Sequence, residues 1–201
     1  MRLLTGVLLI VLVNGASAPA SAQGLEYGVK GGANLATLTS DETPAQDFGF
    51  RIGIVAGVYA KRAFGRRLDV QPEVLFSQEG ASVTAASVDA TIKIDYLRVP
   101  VLARYRLSSS GRGFLVYAGP SLGIKLRAES VAEFGGQKVK TDISDDIETF
   151  DLGLAFGAAY DAGRWSVDGR YTWGFSNLTA DPDDPNKVRH RVITGLVGVR
   201  F

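Results

Sequence analysis

The chain has 201 residues, carries 22 Lys and Arg against 21 Asp and Glu, and contains one His and no Cys. That near balance leaves no basic footprint for a nucleic-acid partner. The absence of thiols excludes a disulfide framework and a lipid-modified cysteine anchor. With a single His besides, a zinc site lacks its usual ligands.

Residues 1–22 read as a signal peptide. Arg2 gives a positive start, Leu3 to Val13 an almost unbroken apolar run, and Ala20-Ser21-Ala22 a small-residue cleavage signal before Gln23. The run falls short of the roughly 20 apolar residues that a helical span needs. A site after Ala18 is the alternative. Residues 23–201 then make one domain of ordinary size. No later stretch is long and apolar enough for a membrane helix, so membrane residence would demand a closed barrel, since open sheet edges leave backbone groups unsatisfied in lipid.

Eight strands follow in order, each with apolar residues at every second position. The first, about Leu25 to Leu35, sets Tyr27, Val29 and Ala33 outward against Glu26, Lys30 and Asn34 inward. The second, from about Phe48, alternates Phe48, Phe50, Ile52, Ile54, Ala56 and Val58 with Arg51, Val55, Tyr59 and glycines. The third sets Leu68, Val70, Val74 and Phe76 against Asp69, Gln71, Glu73 and Ser77, and Pro72 within it predicts a local bulge or bend. The fourth, about Thr91 to Leu107, slips parity once. Ile92 and Ile94 share one face, yet from Leu97 the apolar set is Leu97, Val99, Val101 and Ala103, opposite Arg98 and Arg104. A bulge near Asp95 and Tyr96, or projection of the earlier part above the membrane, would account for this.

The fifth strand places Phe114, Val116, Ala118, Leu122, Ile124 and Leu126 out, with Tyr117, Ser121, Lys125 and Arg127 in. The sixth and seventh form a hairpin through Asp161-Ala162-Gly163-Arg164, with Asp151, Asp168 and Arg170 on the polar face. The eighth, from about Arg191, sets Ile193, Val197, Val199 and Phe201 out and Thr194 and Arg200 in. Long polar connectors, about 36–47, 79–90, 128–147 and 179–189, alternate with short ones at 64–67, 108–113 and 161–164. Short periplasmic turns and longer external loops belong to an outer-membrane barrel. The fold expected is therefore all-β, an eight-stranded antiparallel up-and-down transmembrane barrel. Tyr27, Phe48, Phe76, Phe114, Tyr160, Trp165, Trp173, Phe175 and Phe201, near strand ends, are the expected interfacial girdles.

A barrel of eight strands is just wide enough for side chains to fill. The inward charges are Glu26, Asp69, Glu73, Asp151 and Asp168 against Lys30, Arg51, Arg98, Arg104, Lys125, Arg170 and Arg200. They are expected to pair, because a lone buried charge costs several kcal/mol. The result would be a plugged lumen rather than a diffusion pore.

GVKGGANLA from Gly28, QPEVLFSQEG from Gln71, YLRVPVLARYR from Tyr96, YAGPSLGIKL from Tyr117 and the closing GLVGVRF resemble the PorT-like outer-membrane barrel family, often labelled porin family proteins. More distantly they are similar to small OmpA- and OmpX-type barrels. The resemblance implies no shared catalytic residues, and no cofactor is expected. It makes Phe201 the signal read by the barrel-assembly machinery, and it admits an accessory role in secretion. Lipid and lipopolysaccharide are the expected surroundings, with an envelope or extracellular protein as a further partner.

Enzymatic chemistry finds little purchase. Lipid hydrolysis would need a nucleophile, a base and an orienting group, and His190, at the start of the last strand beside Arg189 and Arg191, reads as a polar residue at the membrane rim. Asp181 to Asn186, and Asp142, Asp145, Asp146 and Glu148, offer oxygen ligands for a hard cation, but Asp-Pro clusters are ordinary turn chemistry. The expectation is a non-enzymatic barrel with a structural or interaction role, without catalytic or metal residues; the rivals are small-solute transport and lipid modification.

Overall fold

A computed structural model describes residues 24–40, 48–85, 88–108, 112–134, 137–179 and 187–201. The expected signal peptide and the Asp-Pro cluster at 181–186 lie outside the described residues. Nine strands are present among them: β1 (Glu26–Ser40), β2 (Gly49–Ala63), β3 (Leu68–Ala85), β4 (Val88–Arg106), β5 (Gly113–Phe134), β6 (Gln137–Asp142), β7 (Phe150–Asp161), β8 (Trp165–Gly174) and β9 (Val188–Arg200).

All but β6 close into an antiparallel barrel of eight. Each strand pairs with its sequence neighbour in the ring, β5 pairs both β4 and β7, and β1 meets β9 to remove the last edge. The short connectors fall where the turn chemistry puts them. Gly65 and Gly163 adopt positive φ in the 64–67 and 162–164 turns, a conformation that side-chain-bearing residues rarely take.

The other end differs from expectation. The long polar segments at 79–90 and 128–147 are largely strand rather than loop: β3 and β4 continue as a paired ribbon to Ala85↔Val88, and β5 runs to Phe134 before folding back as β6. The outer face needs apolar residues only where it touches lipid, so composition changes at the membrane boundary while the hydrogen-bond ladder goes on.

Apolar alternation is realised on the outer wall. Ile52, Ile54, Val58, Val116, Leu152, Val167 and Val197 are exposed, Ile52 at 75%. In water so large an apolar surface would be untenable, and it matches the band that a lipid-facing barrel presents. Aromatics flank it, with Phe114 against Tyr160 at 4.9 Å and Trp173 against Phe175 at 5.5 Å between ring centres. Phe48 is an exception among the expected girdle residues, because it packs inward on Leu38, Ala81 and Leu178.

Of two expected irregularities, one is absent and the other is present with its extra residue on the neighbouring strand. Pro72 pairs with Val101 and the β3–β4 register is unchanged from Pro72↔Val101 to Leu75↔Arg98, so no bulge forms there: Pro72 faces outward and its ring fits an extended strand. The register does shift at Asp95/Tyr96, but the extra residue is Leu126 of β5, between partners Lys125 and Arg127. β4 keeps one parity throughout, and Ile94, Tyr96 and Arg98 all face inward and are buried. The flip falls on β5, which turns the Arg127 side chain, expected inside, out to 61% exposure. Ile92 and Ile94 belong to the part of β4 beyond the lipid band, the projection that the sequence offered as its other account. Ile94 and Tyr96 pack there with Ala128, with Ile92, Ile143 and Ile147 against them.

Candidate functional site

The inward face of the barrel carries three layers of charge, and alternation dictates their order along each strand. Inward polar positions on β3 are Asp69, Gln71, Glu73, Ser77 and Glu79, all buried. Each therefore meets the inward residues of other strands at its own height.

Nearest the short turns, Arg104 donates through Nη2 to Asp161 at 3.2 Å and through Nη1 to Gln71, while Nε lies 3.5 Å from Asp69. Arg106 joins Asp69 at 3.0 Å and Asp161 at 3.4 Å. At the rim, Glu26 accepts from Lys61 at 2.6 Å and from Arg200 at 2.7 Å, the last of these half open to water.

In the middle layer Lys30 bridges Glu73 at 2.8 Å and Asp168 at 2.7 Å, and Arg170 meets Glu73 at 2.9 Å. Tyr117 donates its hydroxyl to Asp168 and lies under the Arg170 guanidinium. Two cations and two carboxylates thus neutralise one another, which is the condition for burying any of them.

The third layer faces the long-connector end. Arg98 donates to Glu79 through Nε at 2.8 Å and Nη2 at 2.5 Å, and its Nη1 lies 2.6 Å from Asp151. His190 Nδ1 is 3.2 Å from Arg98 Nη2 and 3.4 Å from both Glu79 and Asp151, with the tautomer deciding which contact is a hydrogen bond. Tyr96 stands edge-on to the imidazole at 5.2 Å and under the Arg98 guanidinium. The Tyr96 hydroxyl, Asp151 Oδ1 and His190 Nε2 have no hydrogen-bond partner among the described residues.

His190 corrects the rim reading: it is fully buried inside the barrel, because β9 begins at Val188 and the inward parity of Thr194 extends two steps further back. Glu79 was missed for the related reason that it falls where composition suggests a loop. Lys61, Asp161 and Arg106 complete the turn-side layer and were also missed, although their parity matches that of Tyr59, Asp151 and Arg104. Two expected members reach the network differently. Arg51 donates to the Glu79 carbonyl, and Lys125 donates to the Ser144 and Ile147 carbonyls, not to carboxylates.

Among the described residues no group of three acidic or imidazole side chains is placed to hold a metal ion. Asp142 accepts from the Ser144 N–H at 2.9 Å, an ordinary Asx turn. Phe201 is exposed and its N–H closes the barrel seam on the Tyr27 carbonyl at 3.0 Å.

The sequence matches the outer membrane protein beta-barrel domain family over residues 17–180. The chain belongs to that family. It is an outer-membrane protein of a Gram-negative-type envelope, and the lipid around its apolar wall is that membrane. No curated protein matches the sequence. Among solved structures it is similar to Ail of Yersinia pestis in complex with the heparin analogue sucrose octasulfate, at 15% identity over 88% of this chain and 99% of that one, with a TM-score of 0.49. It is similar also to Neisserial surface protein A, at 16% identity over 87% and 97% with a TM-score of 0.47. OprG from Pseudomonas aeruginosa gives 13% identity over 89% and 97% with a TM-score of 0.46. At such identities and scores the family match, not these likenesses, carries the assignment.

Proposed function

We propose that the protein is a non-enzymatic, non-conducting barrel whose role at the cell envelope is structural or interactive, exerted through the ribbons that rise beyond the lipid band, and that its narrower kinship is with the PorT-like barrels. The observation that carries this reading is the interlocked lumen. Three layers of buried ion pairs cross the interior, and a solute would have to separate charges whose partners it cannot replace. The β3–β4 and β5–β6 ribbons then remain as the parts able to meet another molecule.

His190 beside Asp151 supplies half of a hydrolytic arrangement, but the imidazole is buried and its Nε2 has no hydroxyl partner among the described residues, which supports a positioning role in the charge layer over catalysis. The expected lumen charges, together with Lys61, Glu79, Arg106 and Asp161, are accordingly read as a folding and closure device. Biogenesis through the barrel-assembly machinery, with Phe201 as its signal, and an unidentified envelope or extracellular protein partner belong to the same proposal.

Planar-bilayer recording tests it. The purified protein is expected to insert without a stable open level, while a reproducible channel in the wild-type chain would overturn the closed lumen.

A further inference from the structure

Two polar voids among the described residues inside the barrel are near the size of single waters, about 10 Å³ beside Lys30 and Asp161 and about 20 Å³ beside Asn34 and Arg170. One chamber is different in size and in chemistry. At the mouth opposite the short turns lies a cavity of about 200 Å³ lined among the described residues by Leu38 and Leu178, by Phe48, Ile92, Ile147 and Val188, and by one polar residue, Thr179.

We propose that this chamber is a binding site for a small uncharged apolar molecule of one or two aromatic rings, entering from the external aqueous side. The proposal goes beyond the structural role above and does not depend on the identity of any protein partner.

Three features point to an occupant. Interiors are close-packed, and an apolar space gives water nothing to hydrogen-bond, whereas a cavity of roughly 150 Å³ lined by Leu, Ile and Phe holds a benzene-sized ligand. The shape is also fixed in advance by backbone. Ile147 bridges Thr179, Glu148 donates to the Leu178 carbonyl at 2.8 Å, Leu178 to the Val188 carbonyl at 2.9 Å, and Val188 to the Asn177 side chain at 3.0 Å. Such pinning limits the ordering cost of binding. Finally, Leu38 and Leu178 are buried while Phe48, Ile92, Ile147 and Val188 keep partial exposure, so the chamber has a sealed base and an accessible rim.

The same geometry selects the source. Ile92 and Ile147 lie beyond the lipid band, where the wall meets water, so the chamber faces the aqueous side rather than the acyl chains. It also excludes passage. Leu38 pairs across the seam with His190, so the charged third layer lies directly against the base. The chamber retains a molecule; it does not transmit one.

The test uses the mature protein in lipid nanodiscs with labelled Ile, Leu and Val methyls, titrated with naphthalene. Saturable shifts are expected at Leu38, Leu178 and Val188, with only linear drift from lipid partitioning at the outward Ile54 and Val197. Val188→Phe, and Ile92→Phe as a second filler, are expected to weaken the saturable response by about tenfold or more through steric filling. Linear shifts at both sets of methyls would overturn the proposal in the wild-type protein alone, whether or not either variant folds. So would a saturable response that survives both fillers, and so would broadening of the chamber methyls by a lipid carrying a nitroxide on its acyl chain.

Discussion

Arg98→Met removes the cation from the third layer and keeps most of its apolar volume. The guanidinium is 4% exposed and sits within 2.6 Å of both the Glu79 and Asp151 carboxylates, which are themselves at most 2% exposed. Without it, two carboxylates face one interior with only His190 between them. Removing one partner of a buried ion pair costs about 3–5 kcal/mol, because the remaining charge keeps its desolvation and loses its attraction. Neutralising the carboxylates as well, in Arg98→Met/Glu79→Gln/Asp151→Asn, should return much of that loss, leaving about 1–2 kcal/mol for imperfect packing. Reversible urea unfolding in detergent micelles, followed by the fluorescence of Trp165 and Trp173, measures both. A single-variant loss under about 1 kcal/mol, or a triple variant as unstable as the sum of its parts, would refute the claim that mutual pairing holds this layer together.

Ile54→Arg, on the lipid-facing wall of β2, should destabilise by about 2–4 kcal/mol, and Tyr27→Arg near the interface by about 0–1, in folding titrations into vesicles. Gly80 adopts φ of +132° with the Ile92 carbonyl pressed against the place a Cβ would take, so Gly80→Ala should cost about 1–3 kcal/mol in the same assay. Deleting Phe201 should lower the heat-modifiable, barrel-migrating fraction in outer-membrane preparations while leaving the inward charge pairs intact in whatever folds.

Much of the barrel was legible because lipid writes on sequence. Ile52 and Ile54 against Arg51 and Gly53, or Leu152 and Leu154 against Asp151 and Gly153, leave a period of two that only a strand with one apolar face produces. The facing of Lys30, Glu73, Asp168 and Arg170 followed from the same alternation. Legibility stopped where lipid contact stops. Beyond Gln78 on β3 and Leu126 on β5 the outer face meets water, polar residues occupy both faces, and the strand looks like a loop. Glu79 was lost to that change, and so was the fact that Ile92 and Ile94 line an interior mouth. His190 was misplaced by a boundary error of a few residues on a strand whose parity was already known. Arg127 shows the reverse limit: one bulge residue, Leu126, moves it from inside to outside, and pairing register is not written in a single strand's pattern.

The central claim is that bilayer hydrocarbon covers one face of these strands and paired charge the other. Single-tryptophan variants with Trp165 and Trp173 replaced by Phe, reconstituted with lipids brominated along the acyl chain, test it most directly. Tryptophan at outward Ile54 or Val197 should be strongly quenched, and at inward Leu75 or Leu196 should not. Equal quenching on both faces, or none on either, would contradict the account.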